Sequence, residues 1–391
     1  MKQTLFALVI LYSTFVNAQQ FLNPEPIASK YLNEDRPYLV CLPPSYSDST
    51  YSPAKYPVVL LLDGHYHYWY SMSTINFLSR NNIIPECIIV SVINTDRTRD
   101  LTPSHSTTYL DGTEREDFFK TSGGGTNFLK FINEELIPTI DENYNTMDLK
   151  VFVGHSFGGL TAVQSLLTNT PSFKAYISMD PALWWDGALC LKQLDSVKTL
   201  ANTKSWFMSA ANNNNELKTG AAKIRKHQEW FNKRLLEKPD TIRTKFQIYE
   251  DENHQSVTLK SLYDGMRFTF NSYKITIAIR EDIDLFKNHF AMLSKEWGVD
   301  YKPSEFIINE NGKRLLRQDE PKPNIALSFF KLNIELYPKS YNVYNSIANY
   351  YKTTGDKSLA IKNYNKSLEL NPNNQNAKEM LKELNNLEIV K

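Results

Sequence analysis

Apolar positions fall into two regimes along this chain. Between residues 38 and 249 they gather in short runs at 38–42, 58–62, 88–93, 151–153, 175–179, 205–208 and 245–249, the first stopped by Pro43-Pro44. Runs without polar alternation suit strands buried on both faces, as in a parallel sheet. Between them the period changes. Residues 127–140 set Phe128, Phe131, Ile132, Leu136 and Ile140 on one helical stripe, and 159–167, 221–236 and 256–270 behave alike. Strands alternating with helices predict an α/β fold with a mostly parallel sheet covered on both sides. After Phe270 the strand signal fades and helical periodicity runs to the end, which predicts a small all-helical C-terminal extension.

The first residues stand apart from this pattern. Lys2, an apolar stretch at 5–11 and Val16-Asn17-Ala18 read as an export signal over residues 1–18. Ser13 and Thr14 interrupt the stretch too early for a membrane anchor, so no stable membrane insertion is expected. The expected organisation is signal 1–18, an α/β domain 19–280, a linking helical region 281–323 and a repeat region 324–391, in a periplasmic or secreted protein. Lys plus Arg number 44 against 43 Asp plus Glu among 391 residues, so the charge excess of a nucleic-acid binder is absent. Hydrophobic residues at 41% exclude a disordered chain, and three cysteines exclude a disulfide scaffold while leaving one bridge open.

The sharpest chemical signal is Gly154-His155-Ser156-Phe157-Gly158-Gly159, placed between a predicted strand and a predicted helix. Gly-x-Ser-x-Gly in that setting puts the serine on a strained turn, with the next amide, that of Phe157, free to face a developing oxyanion. A serine nucleophile needs a base. His254 follows the last strand run directly and is the candidate. His155 occupies the variable position of the turn and is expected to orient it. His227 and His289 read as structural. The acid should lie between serine and histidine in the chain. Glu216, the first carboxylate after the run at 205–208 and in the asparagine-rich loop that follows it, is the leading candidate. Asp180, Asp251 and a Ser-His dyad stay open.

Loops at the same predicted sheet edge supply the surroundings. In Asp63-Gly64-His65-Tyr66-His67, Gly64 permits a turn that aims the amide of His65 or Tyr66 at the oxyanion. His65 and His67 have no third ligand at metal spacing, so no metal site and no cofactor is expected. Arg97 and Arg99 offer planar forks for a carboxylate or phenolate, or else hold their own loop by Arg-Asp pairing. Trp184-Trp185 follow Asp180-Pro181, and two adjacent tryptophans rarely both fit a core, so at least one should line a cleft. No Leu/Val/Met-rich insertion appears between Asp180 and Trp206, so long acyl chains should be poor substrates.

These stretches, with Ser122-Gly123-Gly124 and Glu134-Glu135-Leu136-Ile137-Pro138, resemble a serine esterase family of the α/β-hydrolases. That group includes siderophore-hydrolysing esterases and is similar to feruloyl and acetyl-xylan esterases. The likeness runs from about residue 30 to about 275. It implies Ser156 as nucleophile, His254 as base, an acid carried less securely to Glu216, and an oxyanion donor at His65. It also implies hydrolysis of a small-molecule or glycan ester through an acyl-enzyme. A hydrolase fold that has lost catalysis and binds through its tail is the other class of function.

A second likeness covers that tail. Ala326 and Ala360, Leu336 and Leu370, and Pro338 and Pro372 repeat at the 34-residue period of a tetratricopeptide repeat. About one and a half repeats are visible, fewer than stand alone. They are expected to lean on the hydrolase, with a protein partner or a dimer contact as their further use.

Overall fold

A computed structural model describes residues 20–168, 171–200, 203–212, 221–238 and 242–389. The expected export signal and Glu216 lie outside the described residues. Ten strands are present among them: β1 (Gln20–Leu22), β2 (Ile27–Ser29), β3 (Glu34–Arg36), β4 (Tyr38–Leu42), β5 (Tyr56–Leu61), β6 (Ile88–Val92), β7 (Thr146–His155), β8 (Ala175–Met179), β9 (Ser205–Ala211) and β10 (Arg243–Tyr249). Eight form one sheet in the order β1-β4-β6-β5-β7-β8-β9-β10, while β2 and β3 make a separate hairpin. The β1–β4 and β4–β6 pairs are antiparallel and every later pair is parallel. The unbroken apolar runs are therefore what they promised, strands with two dry faces. β1 and the polar Glu34-Asp35-Arg36 strand carry no such run, and the sequence pattern did not reveal them.

Strand alternation sorts side chains into two cores. Val58, Leu60, Phe152, Tyr176 and Trp206 face one side, with Phe131, Ile140, Leu160, Leu191 and Phe231 from the helices above them. Val59, Leu61, Val151, Ile177 and Phe207 face the other side. There the helix Val257–Thr269 comes so close that a Cβ on Gly265 would stand 2.8 Å from Ile177 Cγ2. The helical stripe at 127–140 forms, but as two helices, Gly125–Phe131 and Ile137–Asn143, joined by a wider π turn at Ile132–Leu136. Pro138 lacks an amide hydrogen and opens the second helix, which accounts for the break.

The C-terminal helices continue the second core. Phe286, Phe290, Leu293 and Trp297 of helix Ile283–Trp297, Ile308 and Leu315 of helix Glu305–Arg317, and Phe329 and Phe330 of helix Pro323–Leu336 join the cluster that contains Val59 and Ile177. Helices Tyr341–Thr354, Lys357–Leu370 and Gln375–Ile389 complete the repeat-like array. Glu305 ties the pieces together. Its fully buried carboxylate accepts the Ser52 amide at 2.8 Å from the hydrolase side and Asn342 Nδ2 at 3.0 Å from the repeat side. Cys41, Cys87 and Cys190 are all buried and unbridged, which closes the question of a disulfide among them.

A shared core predicts shared unfolding. Phe329 is fully buried and meets Phe286 edge-on at 5.0 Å. Phe329→Ala should cost about 3–5 kcal/mol. In urea, tryptophan fluorescence and helical ellipticity should still lose structure in one coincident transition. An early helical transition that leaves tryptophan fluorescence unchanged would refute the continuity.

Candidate active site

The carboxyl ends of β5, β7, β8 and β10 lie along one edge of the sheet, and each is followed by a residue singled out above. The chain switches direction in the sheet at β5, beside β7, the position where α/β sheets open a crevice. Ser156 stands between β7 and helix Phe157–Leu167 with φ 58° and ψ −115°, a strained backbone for a residue with a side chain. Its neighbours make that turn feasible. A Cβ on Gly154 would lie 2.2 Å from the Gly158 carbonyl oxygen, and one on Gly159 would lie 3.1 Å from Pro181. The Ser156 amide donates to the Met179 carbonyl at 3.0 Å, and its own carbonyl accepts from Ala182 at 3.1 Å, so the turn is stitched to the β8 loop. The Phe157 amide opens the helix, where no carbonyl of the helix can reach it.

His254 lies on the loop after β10 with its side chain 30% exposed. Its Nδ1–H donates to Asp180 Oδ2 at 2.6 Å. Asp180 follows β8, has φ 41°, and is buried. Its other oxygen accepts Gln228 Nε2 at 2.8 Å and the Ala211 amide at 3.1 Å. Burial alone would push this carboxyl up, but the bonds from His254, Gln228 and Ala211 outweigh it and hold the pKa below the ordinary carboxylate value. With Nδ1 protonated against a carboxylate, His254 keeps Nε2 as a bare acceptor.

The carboxylate on His254 is thus Asp180, one of the alternatives left open, while the leading candidate, Glu216, lies outside the described residues. One Nδ1 takes one partner, and Asp180 occupies it. The chain-order rule points to the loop after β9, of which Asn212 is described: its amide donates to the Glu252 carbonyl at 2.8 Å and its Nδ2 to the Glu250 carbonyl at 2.9 Å, bracing the histidine loop. Asp251 is exposed and pairs with Lys260 at 2.6 Å.

Ser156, Phe157, Asp180 and His254 line a cavity of ≈ 390 Å³ together with Tyr109, Arg115, Phe118, Phe119, Ala182, Trp184 and Ile224. Only half of the tryptophan pair is there. Trp185 is buried in the core, edge-on to Phe157 at 5.1 Å, with its indole N–H on the Ser104 carbonyl at 3.2 Å. Neither proposed arginine faces the cavity. Arg97 makes a two-pronged ion pair with Asp63, at 2.8 and 2.9 Å, and lies over the Phe157 ring. Arg99 pairs with Asp100 at 2.8 Å and Glu34 at 2.6 Å. Both hold their own surroundings, which was the bland alternative.

The Arg97–Asp63 pair still serves the edge. It fixes Asp63 at φ 54°, from which helix Gly64–Arg80 starts. The Asp63 carbonyl accepts the amides of Tyr66 and His67 at 2.9 and 3.1 Å, and the earlier amides of the turn, those of Gly64 and His65, do not use that acceptor. The His65 ring itself is exposed.

The cation that does line the cavity is Arg115, which the sequence reading passed over. It sits on a small hairpin closed by the Thr108–Glu114 bridge, with the Arg115 amide on the Thr107 carbonyl at 2.8 Å and its guanidinium 4.3 Å above the Tyr109 ring. Ser122-Gly123-Gly124 marks its return, and Gly123 at φ 104° passes so near that a Cβ would lie 2.7 Å from the His105 amide. The aromatic cluster Tyr109, Phe118 and Phe119 around one arginine was the available signal.

A nucleophile elbow, a carboxylate-bound histidine and a shared cavity at the switch point of a mostly parallel sheet define an α/β-hydrolase of the serine type. Residues 29–251 match the family model described as "Putative esterase", and the chain belongs to that family. Residues 341–374 match a tetratricopeptide repeat model. Ferri-bacillibactin esterase BesA of Bacillus subtilis is 27% identical over 267 residues, which cover 61% of this chain and 86% of that protein. The crystal structure of an IroE-like serine hydrolase from Shewanella oneidensis is 31% identical with a TM-score of 0.71, covering 82% of this chain and all of its own. An uncharacterised protein from Capnocytophaga ochracea shares the fold at 17% identity and a TM-score of 0.58, over 94% of this chain and 99% of its own.

The acid assignment has a direct kinetic test. Asp180→Asn should lower kcat by about 10³–10⁴ with little change in KM, because the imidazolium loses its partner only as it forms. Glu216→Gln should stay near wild type. Steady-state kinetics on p-nitrophenyl butyrate separates the two, and the opposite ranking would restore Glu216.

Proposed function

We propose that this chain hydrolyses carboxylic esters through an acyl-enzyme. The observation that carries the reading is the Asp180–His254 bond of 2.6 Å in the cavity that Ser156 also lines. In this mechanism His254 Nε2 takes the proton as Ser156 Oγ attacks the ester carbonyl, and Asp180 stabilises the imidazolium. The amides of Phe157 and His65 receive the oxyanion. The imidazolium then protonates the leaving alcohol, and water, activated by the same histidine, releases the acid and regenerates the serine.

The substrate we propose is a small ester with an aromatic, siderophore-type acid or alcohol. Tyr109, Phe119, Phe157 and Trp184 give the cavity flat walls, and Arg115 gives it a cation. BesA is named an esterase of ferri-bacillibactin, and a relative in Aspergillus fumigatus, 36% identical over 84 residues that cover 21% of this chain and 28% of that one, is named a siderophore triacetylfusarinine C esterase. A carbohydrate ester is the second reading, favoured by Trp184 as a stacking face for a sugar ring. We also propose export to the periplasm or beyond, on the pattern of residues 1–18. No helix among the described residues is long and apolar enough to cross a membrane. The repeat helices serve in this reading to cover the sheet, as the shared core around Phe329 and Ile177 supports, and a partner or second copy on their outer face stays a proposal.

Purified protein should hydrolyse p-nitrophenyl acetate and butyrate and take a covalent fluorophosphonate label. Ser156→Ala should abolish both with the fold intact. A protein that is inert to both reagents would instead be a binding module. Substrate class is tested by Arg115→Ala. Its loss in kcat/KM should be about tenfold or more larger on a catecholate ester than on an acetylated sugar, in line with a lost charge-assisted bond. Equal losses would favour the carbohydrate reading.

A further inference from the structure

His155 precedes the nucleophile, yet its side chain turns toward the base. It is buried, and its Nε2–H donates to the backbone carbonyl of His254 at 2.7 Å. A carbonyl only accepts, so Nε2 must carry the hydrogen and Nδ1 is bare. The two imidazoles lie 4.5 Å apart with planes inclined by 40°. On its far side His155 meets the buried His67 ring edge-on at 5.4 Å, and its own carbonyl faces Arg97 Nη2 at 3.4 Å.

We infer that His155 is a positioning residue that fixes the base relative to the nucleophile by holding the His254 carbonyl. The inference rests on the ester-hydrolase reading of the site. Asp180 restrains His254 only at Nδ1, a single point about which the rest of the residue can swing. The bond to the carbonyl supplies a second point, on the backbone, and two points fix the direction in which Nε2 faces. The loop's other ties hold the residues around His254 and leave its own carbonyl to His155: Asn212 holds Glu252, and Asn253 Oδ1 accepts the amides of Gln255 and Ser256 at 2.9 Å each. His155 is covalently joined to Ser156, so nucleophile and base are referenced to one residue and the distance between them does not depend on loop stiffness. The buried site suits a neutral donor. Burial first, then the neighbouring His254 and His67, keep His155 well below the ordinary histidine pKa, against a smaller opposing pull from Asp180. No second positive charge then stands beside the imidazolium as it forms.

The test uses the full chain with His155→Phe, which keeps a ring and removes the donor, and His155→Gln, which restores an N–H at similar reach. With wild type active and Ser156→Ala inactive, the ester-hydrolase reading stands by itself. His155→Phe should then lose kcat by about 10²-fold, as a misplaced base does, with KM little changed. Fluorophosphonate labelling should slow in step, and His155→Gln should recover most of the rate. Wild-type kcat in His155→Phe, or equal damage from Phe and Gln with both folded, would overturn the inference. If His155→Phe does not fold, nitrogen-detected NMR of the wild-type rings decides. His155 should remain the neutral Nε2–H tautomer between about pH 5 and 8. A His155 ring that takes up a proton or shows the Nδ1–H tautomer in that range would overturn it equally.

Discussion

Asp180 holds a carboxylate wholly out of water, and an ion so placed costs several kcal/mol unless its lone pairs are satisfied. Here each oxygen is answered. One meets His254, the other meets Gln228 and the amide of Ala211. Those three partners come from the loop after β10, from helix Ala221–Leu236 and from the end of β9. The buried charge therefore draws three separate pieces of chain to the end of β8, and the edge of the sheet closes around it. Remove the charge and the imidazole loses its orientation, while the amide of Gln228 and the end of β9 lose an acceptor together.

A half-buried ion pair works on the opposite side of the nucleophile. Arg97 and Asp63 are joined by two bonds, with the arginine lying across the Phe157 ring. This pair sets the left-handed start of helix Gly64–Arg80, and hence which amides of that turn reach the Asp63 carbonyl. The elbow is held between two charges of the same sign of importance but different chemistry: one orients the base, the other shapes the turn beside the oxyanion position.

Local chemistry was legible in the sequence, and long-range pairing was not. The elbow needs residues 154–159 alone, and His254 follows its strand directly, so both could be read from neighbours in the chain. The parallel sheet was legible because strands with two dry faces leave unbroken apolar runs. The acid was not, since Asp180 and His254 are 74 residues apart and only the order β8-β9-β10 in the sheet brings their loops together. Arg99 stayed open between two roles for the same reason: Glu34, one of its partners, lies on a polar hairpin strand with no periodic signal. Trp184 and Trp185 are neighbours with opposite fates because the tight turn after Pro181 sends successive side chains to cavity and core. Arg115 escaped notice because its hairpin is held by threonine hydroxyls and backbone bonds and contains no apolar run.

The three cysteines bear on where such a chain can work. Cys41 lies in β4, Cys87 ahead of β6 and Cys190 in the helix Trp185–Ser196, each enclosed by apolar neighbours. Enclosure pushes the Cys87 thiol far up and the Cys190 thiol up to about 12, so neither presents a thiolate near neutral pH. The folded molecule offers nothing for an oxidant to join and no bridge for a reductant to open. Its integrity is independent of redox poise, and passage between a reducing interior and an oxidising exterior would leave the same molecule on either side.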